Sequence, residues 1–158
     1  MLLAVVIVTG FQLVYFWDSY LFHMKFYSAQ ESQFGYKEVI SKVKDLDYKK
    51  LVFILKYGQP YIYWLFYNRI SPADYQKGAK LAESEMGDVG QVESFKNVDF
   101  REIYWVVDRN LSDAVLVGDE LSLPKGEVES GGGKILDDIY FPNGRLVFRI
   151  VKTGNAHE

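Results

Sequence analysis

The side chains of this sequence best placed to do chemistry are carboxylates. Asp119 and Glu120 directly follow residues 113–118 (DAVLVG), an apolar run that predicts a short buried strand. The carboxyl end of such a strand is where open α/β sheets bind ligands, so the two acids are a weak candidate ligand site. A solvated loop accounts for them equally well. Asp137 and Asp138 are neighbours within another predicted strand. Their side chains must point to opposite faces, so they cannot act as one acid–base dyad. Asp18, beside Ser19, stands at the end of an uncharged stretch and reads as an interfacial acid.

Other catalytic chemistry is sparse. The chain has no cysteine, which excludes a disulfide scaffold and any cysteine-bearing zinc or redox site. Of its two histidines, His157 adjoins the C-terminus, where disorder is the default, and His23 sits among aromatic residues as an interfacial polar tip. Neither supports a metal site or a serine triad. The run Gly131-Gly132-Gly133-Lys134 lacks the spacing of a phosphate loop and precedes a predicted strand rather than a helix, so it reads as a flexible loop. These residues form no catalytic constellation, and no cofactor is expected in this chain.

The elements that position the acids follow from periodicity. Tyr36, Val39, Ile40 and Val43 recur at helical spacing, and Asp45 to Lys49 form a charged turn. Residues 50–56 (KLVFILK) then predict a strand buried on both faces. Residues 57–69 are an aromatic-rich helix or strand, with helix preferred because Pro60 fits a first helical position. Ser71-Pro72-Ala73-Asp74 opens a further helix, expected to reach about Glu85 and stop at Gly87. Gln91 to Phe95 and Val98 to Trp105 predict strands joined at Lys96-Asn97. Residues 121–134 predict a loop, and Asn143-Gly144 marks a hairpin between Lys134–Tyr140 and Arg145–Lys152. The expected class is α/β, with α+β as second choice. It is a small mixed-sheet domain with helices in its first half and a C-terminal β-hairpin.

Charge is distributed unevenly. The 158 residues carry 18 Lys+Arg and 21 Asp+Glu, and every one lies at or beyond Asp18. The net charge of -3, with no basic cluster, argues against nucleic acid as the main partner. Residues 1–17 (MLLAVVIVTGFQLVYFW) are apolar except for Thr9, Gly10 and Gln12. As a helix they extend roughly 25 Å, or about 33 Å if continued to Phe22, against a bilayer core of about 30 Å. One membrane span therefore fits, with membrane lipid as a partner. Tyr15, Phe16, Trp17, Tyr20, Phe22, Phe26 and Tyr27 crowd its C-terminal edge, and Tyr15, Trp17, Tyr20 and His23 are the expected interface residues. A buried core helix is the alternative. A signal peptide would want a basic start and a small-residue cleavage site, yet no Lys or Arg precedes Lys25. Charge counting sets no orientation. The expected organisation is a transmembrane helix at 1–22, a joint at 23–33, a soluble α/β domain at 34–153 and a disordered tail at 154–158.

Several segments carry a family resemblance. Tyr20 and His23 after the span, Phe34-Gly35-Tyr36-Lys37-Glu38, Gln59-Pro60-Tyr61-Ile62, Leu65-Phe66-Tyr67 and Pro72 to Gln76 resemble the C-terminal end of bacterial membrane glycosyltransferases related to the dolichyl-phosphate-mannose protein mannosyltransferases (glycosyltransferase family 39-like). The resemblance covers about the first half of the chain. It implies a last transmembrane helix leading into an extracytoplasmic domain. It also implies sugar transfer from a polyprenyl-phosphate donor by a protein with many spans. The family's acidic catalytic residues lie near the start of its full-length members, so none carries over here, and Asp18 does not match their motif. The donor would be met only through the rest of a multi-span glycosyltransferase. The single span departs from the family and leads us to expect a truncated gene, a mis-called start at Met1 or an excised fragment. Two other readings stay open: a self-standing membrane-anchored binding or assembly module, and a small soluble enzyme using Asp119 or Glu120.

Overall fold

The apolar run at residues 50–56 supplies strand β1, Lys50–Phe53, in which Leu51, Val52 and Phe53 have no solvent exposure. Strand β5, Ala114–Gly118, is likewise buried along its length. Each such aliphatic side chain contributes roughly 1.5–3 kcal/mol by burial, so these two strands are the rigid centre on which everything else is mounted. A computed structural model provides the fold and describes residues 1–24, 29, 33–56, 58–81 and 92–154.

The fold is α/β. Among the described residues the sheet has seven strands in the order β2-β3-β4-β1-β5-β7-β6, the others being β2 (Ala79–Leu81), β3 (Val92–Phe95), β4 (Val98–Phe100), β6 (Lys134–Tyr140) and β7 (Leu146–Lys152). β1 is parallel to both β4 and β5, pairing Leu51 with Val98 and with Val115. The remaining pairs are antiparallel. The sheet is therefore mixed, with a parallel centre and a hairpin on each side. Adjacent residues of β7 reveal what covers each face. The Phe148 ring lies 5.1 Å from Tyr36, the first residue of a helix on one face, while Arg149 donates at 2.8 Å to the Leu123 carbonyl on the other.

The N-terminal helix α1, Leu2–Asp18, continues through a π-helical turn, Ser19–His23. It is long and apolar enough to cross a membrane, and none of its residues is buried, so it is not a core helix. Helix α2, Tyr36–Lys44, buries the predicted face of Tyr36, Val39, Ile40 and Val43. Gly35 precedes it at φ +91°, and a Cβ there would meet Val147 at 3.1 Å and Phe148 at 3.3 Å. Glycine thus lets the chain enter the domain hard against β7. Pro60 opens α3, Pro60–Tyr67. Ser71 caps α4, Pro72–Gly78, its hydroxyl accepting the Asp74 N–H at 3.1 Å.

Three expectations are corrected. Helix α4 ends at Gly78 because residues 79–81 pair with the edge of β3 as Ala79↔Phe95 and Leu81↔Val92, a ladder that outcompetes helix propensity. Strand β4 stops at Phe100, and Trp105 instead begins the short helix α5, Trp105–Asp108. There the buried Asp108 carboxylate turns the chain by accepting the Tyr104 N–H at 2.8 Å and two bonds from Arg101 at 2.6 and 3.1 Å. The predicted loop at 121–134 contains helix α6, Lys125–Ser130, opened after Pro124 and fixed by burial of Val128. The Lys96-Asn97 and Asn143-Gly144 turns form as expected. Phe26, Tyr27, Tyr57, Gln91, His157, the expected end of α4 near Gly87, and all but Gly154 of the expected tail lie outside the described residues. Ala29, from the expected joint, packs into the core.

Candidate functional site

β1 and β5 run side by side in the same direction, but their exits diverge. After β1 the chain goes to α3, which packs beside α2 with the Tyr36 and Tyr63 rings 4.4 Å apart. After β5 it goes to α6 on the opposite face. Adjacent parallel strands whose connections leave to opposite faces open a crevice at their carboxyl ends, the general position of ligand sites in such sheets. Here the crevice is a cavity of about 650 Å³, within the usual range for ligand pockets.

Its floor is Asp119, 5% exposed. One carboxylate oxygen accepts from the Ser122 N–H at 2.8 Å and the Ser122 hydroxyl at 2.7 Å, and the other pairs with Lys56 Nζ from the end of β1. Burial pushes the Asp119 pKa up, but the bonds from Lys56 and Ser122 outweigh it and hold the group below the ordinary carboxylate value. Asp119 is thus an anion held by three contacts, two on one oxygen and one on the other, suited to shaping the site. Lys56 is positioned by its backbone, whose carbonyl accepts the Tyr36 hydroxyl.

The outer wall is the β6–β7 hairpin. Its turn closes with the Gly144 N–H donating to Phe141 O at 2.9 Å and the Phe141 N–H to Arg145 O at 2.8 Å, Gly144 taking φ +82°. This places Tyr140 and Arg145 at the cavity. Arg149, 4% exposed, forms a two-pronged pair with Asp138 and also donates to Leu123 O. Burial raises the Asp138 pKa, and Arg149 more than reverses this, so it too stays ionised. Tyr140 donates its hydroxyl to the same carboxylate at 3.1 Å, which holds the phenol above its usual pKa and pins an otherwise half-exposed ring.

The structure brings both candidate acids to the cavity, but in different states: Asp119 is committed, whereas Glu120 is exposed. Among the described residues, neither the Glu120 carboxylate nor the Arg145 guanidinium has a hydrogen bond or ion pair, which leaves one acceptor and one donor for a ligand. Asp137 and Asp138 serve opposite faces as expected, Asp137 pairing with Lys42 of α2 at 2.6 Å. Tyr15, Trp17, Tyr20 and His23 remain on the exposed helix, apart from the cavity. His23 there lies 3.3 Å from Asp18. Lys56, Tyr140, Arg145 and Arg149 were not singled out by sequence. Arg149 carried a usable signal, since an arginine inside the apolar run LVFRIV must find a partner.

Two other hollows are less suited to specific chemistry. One of about 540 Å³ lies along the start of α2, and one of about 590 Å³ between α3 and α4 is lined mainly by apolar side chains such as Ile62, Leu65 and Phe66. No group of His, Cys, Asp and Glu able to hold a metal ion occurs among the described residues. No family model, no curated protein and no solved structure matches this chain.

Proposed function

We propose that this chain is a membrane-held, extracytoplasmic accessory domain of a polyprenyl-phosphate-sugar-dependent glycosyltransferase, one that binds rather than catalyses. The observation that carries this reading is the helix at Leu2–His23, apolar over a bilayer's thickness and without one buried residue. Such a surface needs lipid or neighbouring helices to cover it. The domain follows closely, since Ala29 is already in the core. The glycosyltransferase assignment draws its support from the resemblance of the span and the segments around α2 and α3, the extracytoplasmic side from the same source, and the binding role from an Asp119 that is committed to Lys56 and Ser122. Incubated alone with polyprenyl-phosphate sugar donors, the chain should transfer nothing, and robust turnover would refute the accessory role.

A second reading, a self-standing membrane-anchored binding module, is motivated by the polar cavity that gathers Lys56, Asp119, Glu120, Arg145 and Arg149. The genomic sequence upstream of Met1 separates the two. Further spans in one open frame support the first reading, and a stop codon with a promoter supports the second.

A further inference from the structure

We infer that the cavity at the carboxyl ends of β1 and β5 is a saccharide-binding site, with Tyr140 as its stacking platform and Glu120 and Arg145 as its hydroxyl partners. Sugar hydroxyls both donate and accept, and each ring presents a C–H face, so a site for them needs planar acceptors, planar donors and an aromatic surface together. The cavity has all three. Glu120 can only accept and Arg145 can only donate, and neither side chain makes a hydrogen bond or ion pair among the described residues.

Tyr140 is 52% exposed yet its ring does not swing freely. Its hydroxyl is tied to Asp138, which Arg149 grips twice, and Arg149 is anchored in turn on Leu123 O. An exposed aromatic surface held by a buried network loses little freedom on binding. The charge balance favours a neutral polyol over an anion. Lys56 is matched by Asp119 and Arg149 by Asp138, which leaves Glu120 and Arg145 to offset one another. A phosphate drawn to Arg145 would meet the Glu120 carboxylate in the same cavity.

The inference deepens the accessory-domain reading, and rests on it only for where the sugar comes from. The chain enters the domain beside the hairpin turn, with the Phe34 and Phe141 rings 5.8 Å apart and Tyr36 bonded to Lys56 O. Phe34 and Tyr36 therefore lie at the same edge of the domain as the cavity. A lipid-borne sugar and a free sugar present the same hydroxyls, and the experiment separates the two sources.

The test uses the full chain in lipid nanodiscs, with saturation-transfer NMR to the methyl glycosides of mannose, glucose, galactose and N-acetylglucosamine. At least one should receive transfer. Tyr140→Ala should weaken it about tenfold and Tyr140→Phe, which keeps the ring, by no more than about threefold. Glu120→Gln and Arg145→Ala should each weaken it roughly three- to tenfold. The three side chains replaced lie at the surface of the cavity, and an unchanged melting temperature establishes that each variant is folded. Nanodiscs doped with a polyprenyl glycoside of the same sugar assign a lipid-borne ligand if they suppress the signal and a free saccharide if they do not. Lack of transfer from all four glycosides, or transfer that survives Tyr140→Ala together with Arg145→Ala, overturns the proposal. Failure of the membrane reading would appear separately, as a chain that stays in the aqueous phase when detergent is removed without lipid.

Discussion

Arg149 holds Asp138 in two parallel hydrogen bonds, Nε to Oδ1 at 2.8 Å and Nη2 to Oδ2 at 2.9 Å, across the β6–β7 hairpin. Its remaining guanidinium nitrogen Nη1 reaches Leu123 O at 2.8 Å, so one buried side chain locks the hairpin to the loop after β5. Replacing Arg149 by Ala strands a carboxylate that is mostly buried, and should cost about 3–5 kcal/mol in urea unfolding. The double replacement Arg149→Met with Asp138→Leu should recover most of that loss, because no unpaired charge remains. A double variant as unstable as the single one would contradict this account.

The Lys56–Asp119 pair makes stability depend on pH in a defined sense. Asp119 and Asp138 are both held below the ordinary carboxylate pKa in the folded chain. Stability from them is therefore fully present above the unfolded value of about 3.9 and is lost as pH falls through the lower folded values. Unfolding free energy should be level from neutrality to about pH 4 and decline below it. Asp119→Asn should lower stability at neutral pH by about 1–3 kcal/mol, and the gap from the parent should narrow in acid. A gap that widened in acid would invert the assigned sign.

Trp105 sets a packing limit at the turn before β6. Its indole N–H donates to Glu127 O at 2.9 Å, and a Cβ on Gly133 would stand 2.4 Å from its ring. Gly133→Ala should therefore cost about 1–3 kcal/mol through overpacking and perturb the Trp105 fluorescence. Neighbouring Gly132 has φ +81° and open space where a methyl group would stand, so Gly132→Ala should cost about 1–2 kcal/mol from backbone strain and leave the emission unchanged.

Deleting residues 1–22 should leave a soluble domain that still unfolds cooperatively in urea and loses only the helical circular dichroism of the deleted segment, because no residue of α1 is buried. In the full chain, Val8→Arg costs about 2.5–3.5 kcal/mol of insertion at the centre of a span and should reduce co-flotation with phosphatidylcholine vesicles. Flotation unaffected by Val8→Arg, or a deletion that aggregates while the whole chain stays dissolved in plain buffer, would count against a bilayer-spanning α1.

The fold was legible where local signals agree with the final packing. KLVFILK and DAVLVG are short apolar runs between polar residues, and both became central strands. Pro60, Ser71 and Asn143-Gly144 carry backbone preferences that operate whatever the tertiary context. Helix α6 was hidden because Pro124, Gly126 and three following glycines argue for a loop, and only Val128 packed against the core reverses that. Half of the candidate site was visible as Asp119 and Glu120 after a buried strand. The other half was not, because Lys56 reaches Asp119 across 63 positions and no local pattern encodes that pairing.

Five chain steps lead from Met24, which continues the apolar helix, to Ala29 in the core, a stretch that spans at most about 18 Å. With α1 in a bilayer, a connection of that length would keep the domain in a thin shell at the surface instead of the bulk solution. A lipid head group in that shell would meet the cavity at an effective concentration near the millimolar range. A head group would then need only millimolar intrinsic affinity to occupy the cavity, and occupancy would follow lipid density in the leaflet more closely than any concentration in solution.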